Sequence, residues 1–249
     1  MANHDLNGQW ILVTGAARRI GAAICKTLHG AGANIAVHYR GSESEASRLC
    51  RSLNDQRPDS AFAFRADITA TAGIGEFIDR VIRKTGRLDA LINNASTFYP
   101  TPIDTITEEQ WDDLVGTNFK APLFIASAAA PHLRRTRGVI INMIDIHARR
   151  PLEDHPIYGP AKAALAMLTL SLARDLGPEI RVNGVAPGAI LWPESGLTDE
   201  SKRKIIECVP LQRTGSPEDI AGCVLYLVRD AAYVNGQIIA VDGGRSVGW

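Results

Sequence analysis

The feature that most constrains this chain is an alternation of two periodicities. Seven apolar or β-branched runs of strand length are separated by stretches with helical spacing. The runs are Trp10 to Val13, Ile35 to Tyr39, Ala61 to Arg65, Ala90 to Asn93, Val139 to Met143, Arg181 to Val185 and Ile238 to Val241. Helices are predicted near 18–31, 43–56, 71–85, 107–134, 157–176, 199–207 and 217–229. The stretch 157–176 shows the logic: Ala161, Ala164, Leu165, Leu168 and Leu172 recur on one face, and Gly177-Pro178 ends the run. Strands without polar alternation are buried on both faces, so the pattern predicts a doubly wound α/β fold: a seven-stranded parallel sheet with helices on both sides. No repeat or low-complexity linker divides the chain, and a single domain over 1–249 is expected. Open sheets of this kind bind ligands beyond the carboxyl ends of their strands, which directs attention to the strand-to-helix loops.

Charge narrows the partners. Lys and Arg total 27 and Asp and Glu total 27, so no excess favours nucleic acid or an anionic membrane, and a small neutral or locally anionic ligand fits better. Cys25, Cys50, Cys208 and Cys223 are scattered without the clustering of a zinc site or disulfide framework. Four reduced thiols packed as small core residues in a cytoplasmic protein are expected, with no metal. The segment Met1 to Gly8 is polar, and the longest nearly apolar run, Ala163 to Ala173, is too short to span a bilayer.

The first strand-to-helix loop reads Thr14-Gly15-Ala16-Ala17-Arg18-Arg19-Ile20-Gly21. Gly15 permits a tight turn, Gly21 permits close helix packing, and the helix start offers N–H groups to a pyrophosphate. Arg19 stands where a third glycine is usual, and its guanidinium can meet a phosphate or a substrate carbonyl. The second strand ends in His38-Tyr39-Arg40-Gly41-Ser42, where an NAD enzyme usually carries a carboxylate for the ribose 2′-hydroxyl. Arg40 with Ser42 suits a 2′-phosphate instead, so NADPH is the expected cofactor. Asp67, with Ile68 beside it, can accept from the adenine amino group. Asn93-Asn94-Ala95 ends the fourth strand, where Asn93 either contacts the ligand or stabilises the turn.

Tyr158 and Lys162 are four residues apart, so both project from one helix face. An ammonium beside a phenol favours the phenolate and is expected to lower the tyrosine pKa. The fifth strand delivers Asp145 at its carboxyl end. Asn118 sits mid-helix, a poor place for a buried amide unless it orders a water or a kink. His147 and His155, lacking paired ligands, read as solvated loop residues.

Taken together, T-G-x-x-x-x-x-G, N-N-A, Asn118, Y-x-x-x-K, Pro187-Gly188 and Val241-Asp242-Gly243-Gly244 resemble the short-chain dehydrogenases/reductases over nearly the whole chain. The resemblance implies a Rossmann-type sheet, hydride transfer from a nicotinamide, and a homotetramer built on the long helices. It further implies that Tyr158 relays a proton, that Lys162 binds the nicotinamide ribose, that Asn118 holds a relay water, and that Pro187 and Gly188 line the cofactor pocket.

One departure points to a sub-family. Asp145 stands where serine is usual, and a carboxylate repels a ketone oxygen gaining charge while it suits a substrate with N–H donors. In this, in Arg19, in His38-Tyr39 and in Asn94-Ala95-Ser96-Thr97-Phe98-Tyr99-Pro100-Thr101-Pro102, the chain resembles the pteridine reductases. Phe98 is then expected to clamp a flat pterin or folate against the nicotinamide, the alternative being loop packing. Ser96 would meet the amide edge of the ring and Arg19 its carbonyl side, while Asp145 donates a proton, positions water or only binds the amino group. Trp192, in the loop Ala189 to Ser195, is either a lid aromatic or plain packing. The ending Arg245-Ser246-Val247-Gly248-Trp249 lacks the terminal arginine of relatives that reduce fully oxidised pterins. Two other readings stay open: a reductase of 3-oxoacyl thioesters or ketones, and a non-catalytic NADPH-binding regulator.

Overall fold

The computed structural model describes residues 5–192 and 198–247. Seven strands form one sheet: β1 Trp10–Val13, β2 Asn34–Tyr39, β3 Ala61–Arg65, β4 Ala90–Asn93, β5 Val139–Met143, β6 Arg181–Pro187 and β7 Ile238–Val241. Their order is β3-β2-β1-β4-β5-β6-β7, and every neighbouring pair is parallel. The order reverses between β1 and β4, where the registers Leu12↔Leu91 and Val13↔Ile92 bring the glycine loop beside the N-N-A segment. Ligand crevices form at such a reversal, because the crossovers on either side leave in opposite directions.

Helices α1 Arg19–Gly30, α2 Glu43–Asn54 and α8 Pro217–Arg229 belong to one layer. Ile11, Val13, Ile35, Val37, Ile141 and Val185 pack there against Ile24, Leu28, Leu49, Val224 and Leu227. The other layer holds α3 Ile74–Thr85 and α5 Ala121–Thr136, whose Phe77, Val81, Ile125 and Leu133 meet Leu12, Leu91, Ile140 and Val182. Adjacent residues of a strand thus serve opposite layers, so burial on both faces produces the uninterrupted apolar runs. Two helix starts carry reciprocal capping boxes, Thr107 with Gln110 ahead of α4 Glu108–Val115 and Ser216 with Asp219 ahead of α8. Helix α7 Asp199–Glu207 begins at Thr198, whose hydroxyl accepts from the Ser201 N–H.

Three expectations need correction. The helix expected over 107–134 is two helices, α4 and α5, joined by a π turn at Gly116–Lys120 with Asn118 at its centre. In α6 Tyr158–Asp175 the buried face runs through Tyr158, Lys162, Leu165, Thr169 and Ala173, while Ala164, Leu168 and Leu172 are only half-buried. Cys208 is exposed at the end of α7 rather than in the core; Cys25 and Cys50 are buried and Cys223 is half-buried. Among the described residues no helix is long and apolar enough to cross a membrane, and no His/Cys/Asp/Glu group could hold a metal ion.

Candidate active site

The glycine loop is tight because three segments converge on it. Gly15 has φ +59°, and a Cβ there would lie 2.8 Å from the Ala95 Cα. A Cβ on Gly21 would strike the Gly15 carbonyl and come within 2.7 Å of the Asn94 amide. Asn94 ties the loops together: its Nδ2 donates to the carbonyls of Thr14 (2.9 Å) and Gly15 (3.0 Å), and its N–H donates to the Thr14 hydroxyl (3.0 Å). The neighbouring Asn93, expected to contact the ligand or stabilise the turn, is buried in the sheet and donates to Asn142 at 2.9 Å. Period-two alternation separates these amides, because Asn93 shares the face of Leu91 while Asn94 turns toward the loop.

His38 also works behind the loop. Its ring is buried, Nδ1 accepts from the Gly15 N–H at 3.1 Å, and Nε2 donates to the Ala66 carbonyl at 3.1 Å. Burial pushes its pKa down to about 4, so the neutral tautomer that accepts from the loop persists at physiological pH. The residue expected to line the cofactor pocket therefore shapes it from behind.

The cleft itself is open to an anion. Helix α1 has no side-chain cap and no acidic residue in its first turn, so its own residues leave its positive end available to an anion. Arg18 stands at its N-cap and reaches Glu45 at 4.0 Å, and Ile20 packs against the core. Arg40 is exposed just after β2, Tyr39 is buried, and Ser42 occupies the N-cap of α2 without making a capping bond. Asp67 is exposed; hydrogen bonds from Thr69 hold its carboxyl below the usual range, with Arg40 contributing. Ile68 beside it is buried. At the far side Gly188 lies against Asp242, where a Cβ would approach within 2.6 Å, and Pro187 pairs with Val241. These residues fit a dinucleotide: small residues where backbones close in, an uncapped helix start, and exposed guanidiniums.

Arg19 reaches the segment that follows β6. It has φ +53°, the left-handed conformation that a glycine adopts without strain, and its guanidinium donates to the carbonyls of Leu191 (3.5 Å) and Trp192 (3.4 Å). Trp192 is half-buried, and Pro193 to Ser195, like Trp249, lie outside the described residues.

The polar centre is assembled from β5, α6 and the π turn. Asp145 caps a 3₁₀ turn at Ile146–Ala148: one carboxylate oxygen accepts from the His147 N–H at 2.8 Å. The other accepts from the Tyr158 hydroxyl at 2.8 Å. Lys162 is buried, donates to the Met143 carbonyl at 3.0 Å, and lies 5.7 Å from the centre of the Tyr158 ring. Burial lowers its pKa to about 8, with Asp145 acting the other way.

The expected acidification of Tyr158 is reversed. Burial, then the Asp145 carboxylate, raises the phenol well above its ordinary value of 10.0, while Ser96 pulls it down only in part. Burial disfavours the phenolate first, and the local partners add to it: the ammonium bonds a backbone carbonyl, whereas an anion accepts the hydrogen bond of the phenol. The Asn118 side chain is fully bonded. Its Oδ1 accepts from Ser96 at 2.6 Å, and its Nδ2 donates to the carbonyls of Thr97 and Leu114, both at 2.9 Å. The amide thus braces the Ser96-Thr97 segment against the π turn at which it stands.

The two histidines read as solvated are not. His147 is buried and burial lowers its pKa, while half-buried His155 stacks on Phe98. Phe98 is 49% exposed and meets Tyr158 edge-on at 4.8 Å.

With this geometry in place, the comparisons are specific. A family model described as Enoyl-(Acyl carrier protein) reductase matches residues 15–246. Pteridine reductase 1 of Leishmania tarentolae is 36% identical over 95% of this chain and 96% of its own length. The 3-oxoacyl-(acyl-carrier-protein) reductase FabG of Staphylococcus aureus is also 36% identical, over 94% of this chain and 96% of its own. A 3beta-hydroxysteroid dehydrogenase of Eggerthella lenta is 30% identical over 98% and 95%. The family model spans residues 15–246 and these relatives align over nearly the whole chain: the chain belongs to the short-chain dehydrogenase/reductase family of oxidoreductases.

Proposed function

We propose that this chain is an NADPH-dependent pteridine reductase that converts a dihydropterin, or a dihydrofolate-like substrate, to its tetrahydro form. The observation that carries the reading is the carboxylate of Asp145 bonded to the Tyr158 hydroxyl at 2.8 Å. A ketone oxygen gaining negative charge beside that carboxylate is repelled, whereas a ring with amino and N–H donors is attracted. The pteridine reductase relative supports the same reading.

Bound NADPH supplies the hydride. In its pocket, Gly15, Gly21, Ala95 and Gly188 give close backbone approach, the start of α1 with Arg18 and Arg19 faces the pyrophosphate, and Arg40 with Ser42 meets the 2′-phosphate. Asp67 and Ile68 border the adenine. Tyr158, kept neutral by burial and by Asp145, holds the proton destined for the ring nitrogen. Asp145 orients that hydroxyl and accepts from the substrate amine. Lys162 binds the ribose and offsets the carboxylate, Ser96 faces the ring's amide edge, and Phe98 stacks on its plane. Exposed Trp111, Phe124, Met167 and Leu170 on α4, α5 and α6 supply apolar surface for a homotetramer of a cytoplasmic enzyme.

The equal identity of the 3-oxoacyl-(acyl-carrier-protein) reductase favours a second reading, reduction of an acyl thioester. One assay separates them: NADPH oxidation with dihydrobiopterin, dihydromonapterin, dihydrofolate and acetoacetyl thioester in parallel, and with NADH for comparison. Turnover confined to the pterins supports the proposal. Turnover confined to the thioester overturns it, and silence with tight NADPH binding points to a regulator.

A further inference from the structure

Phe98 has a partner that no motif announces. The ring of His155 lies 4.7 Å from it at an interplanar angle of 16°, a near-parallel stack. Tyr158 closes the third side, edge-on to both rings at 4.8 and 6.3 Å. The imidazole is fixed from its other end. Its Nδ1 bonds the Glu153 carbonyl at 2.6 Å, and since a carbonyl only accepts, Nδ1 carries the hydrogen. Pro156 follows and restricts the backbone at His155. The remaining nitrogen, Nε2, is buried and has no hydrogen-bond partner among the described residues. Burying an unpaired acceptor is unfavourable, so what holds the ring here is its packing rather than the pairing of its second nitrogen.

One face of Phe98 is thus occupied by protein, yet the side chain is still 49% exposed. We propose that His155 is a specificity-determining positioning residue: by stacking on Phe98 it presets the plane of that ring, so that the site becomes a slot for a flat heterocycle. This rests on the pteridine reading above. An unsupported exposed phenylalanine samples several orientations and must be ordered when a ligand stacks on it; a backed ring has already lost that freedom. A flexible acyl thioester has no plane to match and gains little from the same support. The effect should therefore be selective among substrates.

The test uses the full chain with His155→Ala, His155→Leu and His155→Phe. For a dihydropterin, Ala and Leu should raise KM about tenfold while kcat changes less than about threefold, since orientation rather than chemistry is lost. The NADPH Kd, read by fluorescence titration, should stay at the wild-type value in all three. His155→Phe stacks as imidazole does and removes the unpaired nitrogen, so it should return KM to within about twofold of wild type. Leu, similar in bulk but not planar, should not. Circular dichroism on the Leu and Phe pair secures the comparison if Ala does not fold. If the wild type reduces a dihydropterin and His155→Leu keeps its KM, or if His155→Phe is as impaired as His155→Leu, the inference is wrong while the pteridine reading stands. If the wild type turns over the thioester alone, or neither substrate, both fall together.

Discussion

The Tyr158 hydroxyl donates a hydrogen bond to Asp145 at 2.8 Å, while Lys162, the cation expected to acidify that phenol, donates instead to the Met143 carbonyl at 3.0 Å. The pair therefore rests as a neutral phenol beside an accepting carboxylate, with the ammonium one step removed. In this state Tyr158 keeps the proton that a ring nitrogen requires as the neighbouring carbon is reduced, but a phenol raised in this way is a weak acid, so the ring nitrogen must be the better base and Lys162 must offset the phenolate left behind.

Removing that proton gives the most direct consequence. Tyr158→Phe should lower kcat for the reduced substrate by roughly 10²- to 10⁴-fold, the usual range for a positioned acid. The NADPH Kd should move less than about threefold, because the Phe ring keeps the packing of the phenol. Steady-state kinetics with a fluorescence titration measures both, and unchanged kcat would remove Tyr158 from the chemistry.

The glycine loop offers a steric test. A methyl at Gly21 would meet the Gly15 carbonyl and the Asn94 amide that ties the loop to β4. Backbone and a bonded amide cannot both withdraw, so Gly21→Ala should destabilise the fold by about 1–3 kcal/mol. It should also weaken NADPH binding by more than about tenfold, since the loop that must approach the pyrophosphate is displaced. Urea unfolding and cofactor titration read the two effects. By contrast Gly41→Ala, with nothing within 4 Å of the added methyl, should be nearly neutral.

Cofactor choice should reside at the end of β2. Arg40 is exposed there and, together with Ser42, stands where a carboxylate would serve the ribose of NAD. Arg40→Asp places a negative charge against a 2′-phosphate and should cut NADPH affinity at least about tenfold while NADH affinity holds or rises. Parallel titrations with the two cofactors decide it; an unchanged ratio would place the phosphate elsewhere.

Much of this architecture was readable from residue order because the forces behind it are local or repetitive. Burial on both faces writes an apolar run for each central strand, the edge strands β3 and β7 being partly exposed, and β1, β3, β4, β5 and β7 begin and end where the runs do. Spacing likewise brought Tyr158 and Lys162 onto one helical turn. What was not readable depends on contacts between distant segments. Phe98 and His155 are brought together only by the fold, and nothing near His155 marks it as stacked rather than solvated. The π turn around Asn118 keeps a nearly helical period, so it left no trace beyond a misplaced amide. The pKa direction of Tyr158 depended first on how deeply the phenol is buried and then on which group its hydroxyl reaches, neither of which an i,i+4 spacing can tell.

Lys162 carries a consequence for stability against pH. Burial lowers its pKa from 10.5 to about 8, so below pH 8 the folded chain holds a charge that the unfolded chain solvates more favourably. Between pH 8 and 10.5 the folded form releases that proton while the unfolded form keeps it. The unfolded state then binds more protons, and this residue's contribution to stability rises with pH across that window. Lys162→Met fills similar volume without the charge and should be more stable than wild type at pH 7, by at most about 3 kcal/mol, less whatever is lost with the bond to the Met143 carbonyl. The gap should narrow as pH rises through 8 toward 10. Urea unfolding of both chains at pH 7 and at pH 9.5 measures it as a difference, in which titrating groups remote from Lys162 cancel. A gap that widens over this interval would mean that Lys162 is stabilised rather than strained in its charged form, and that its bond to Met143 and the nearby Asp145 outweigh its burial.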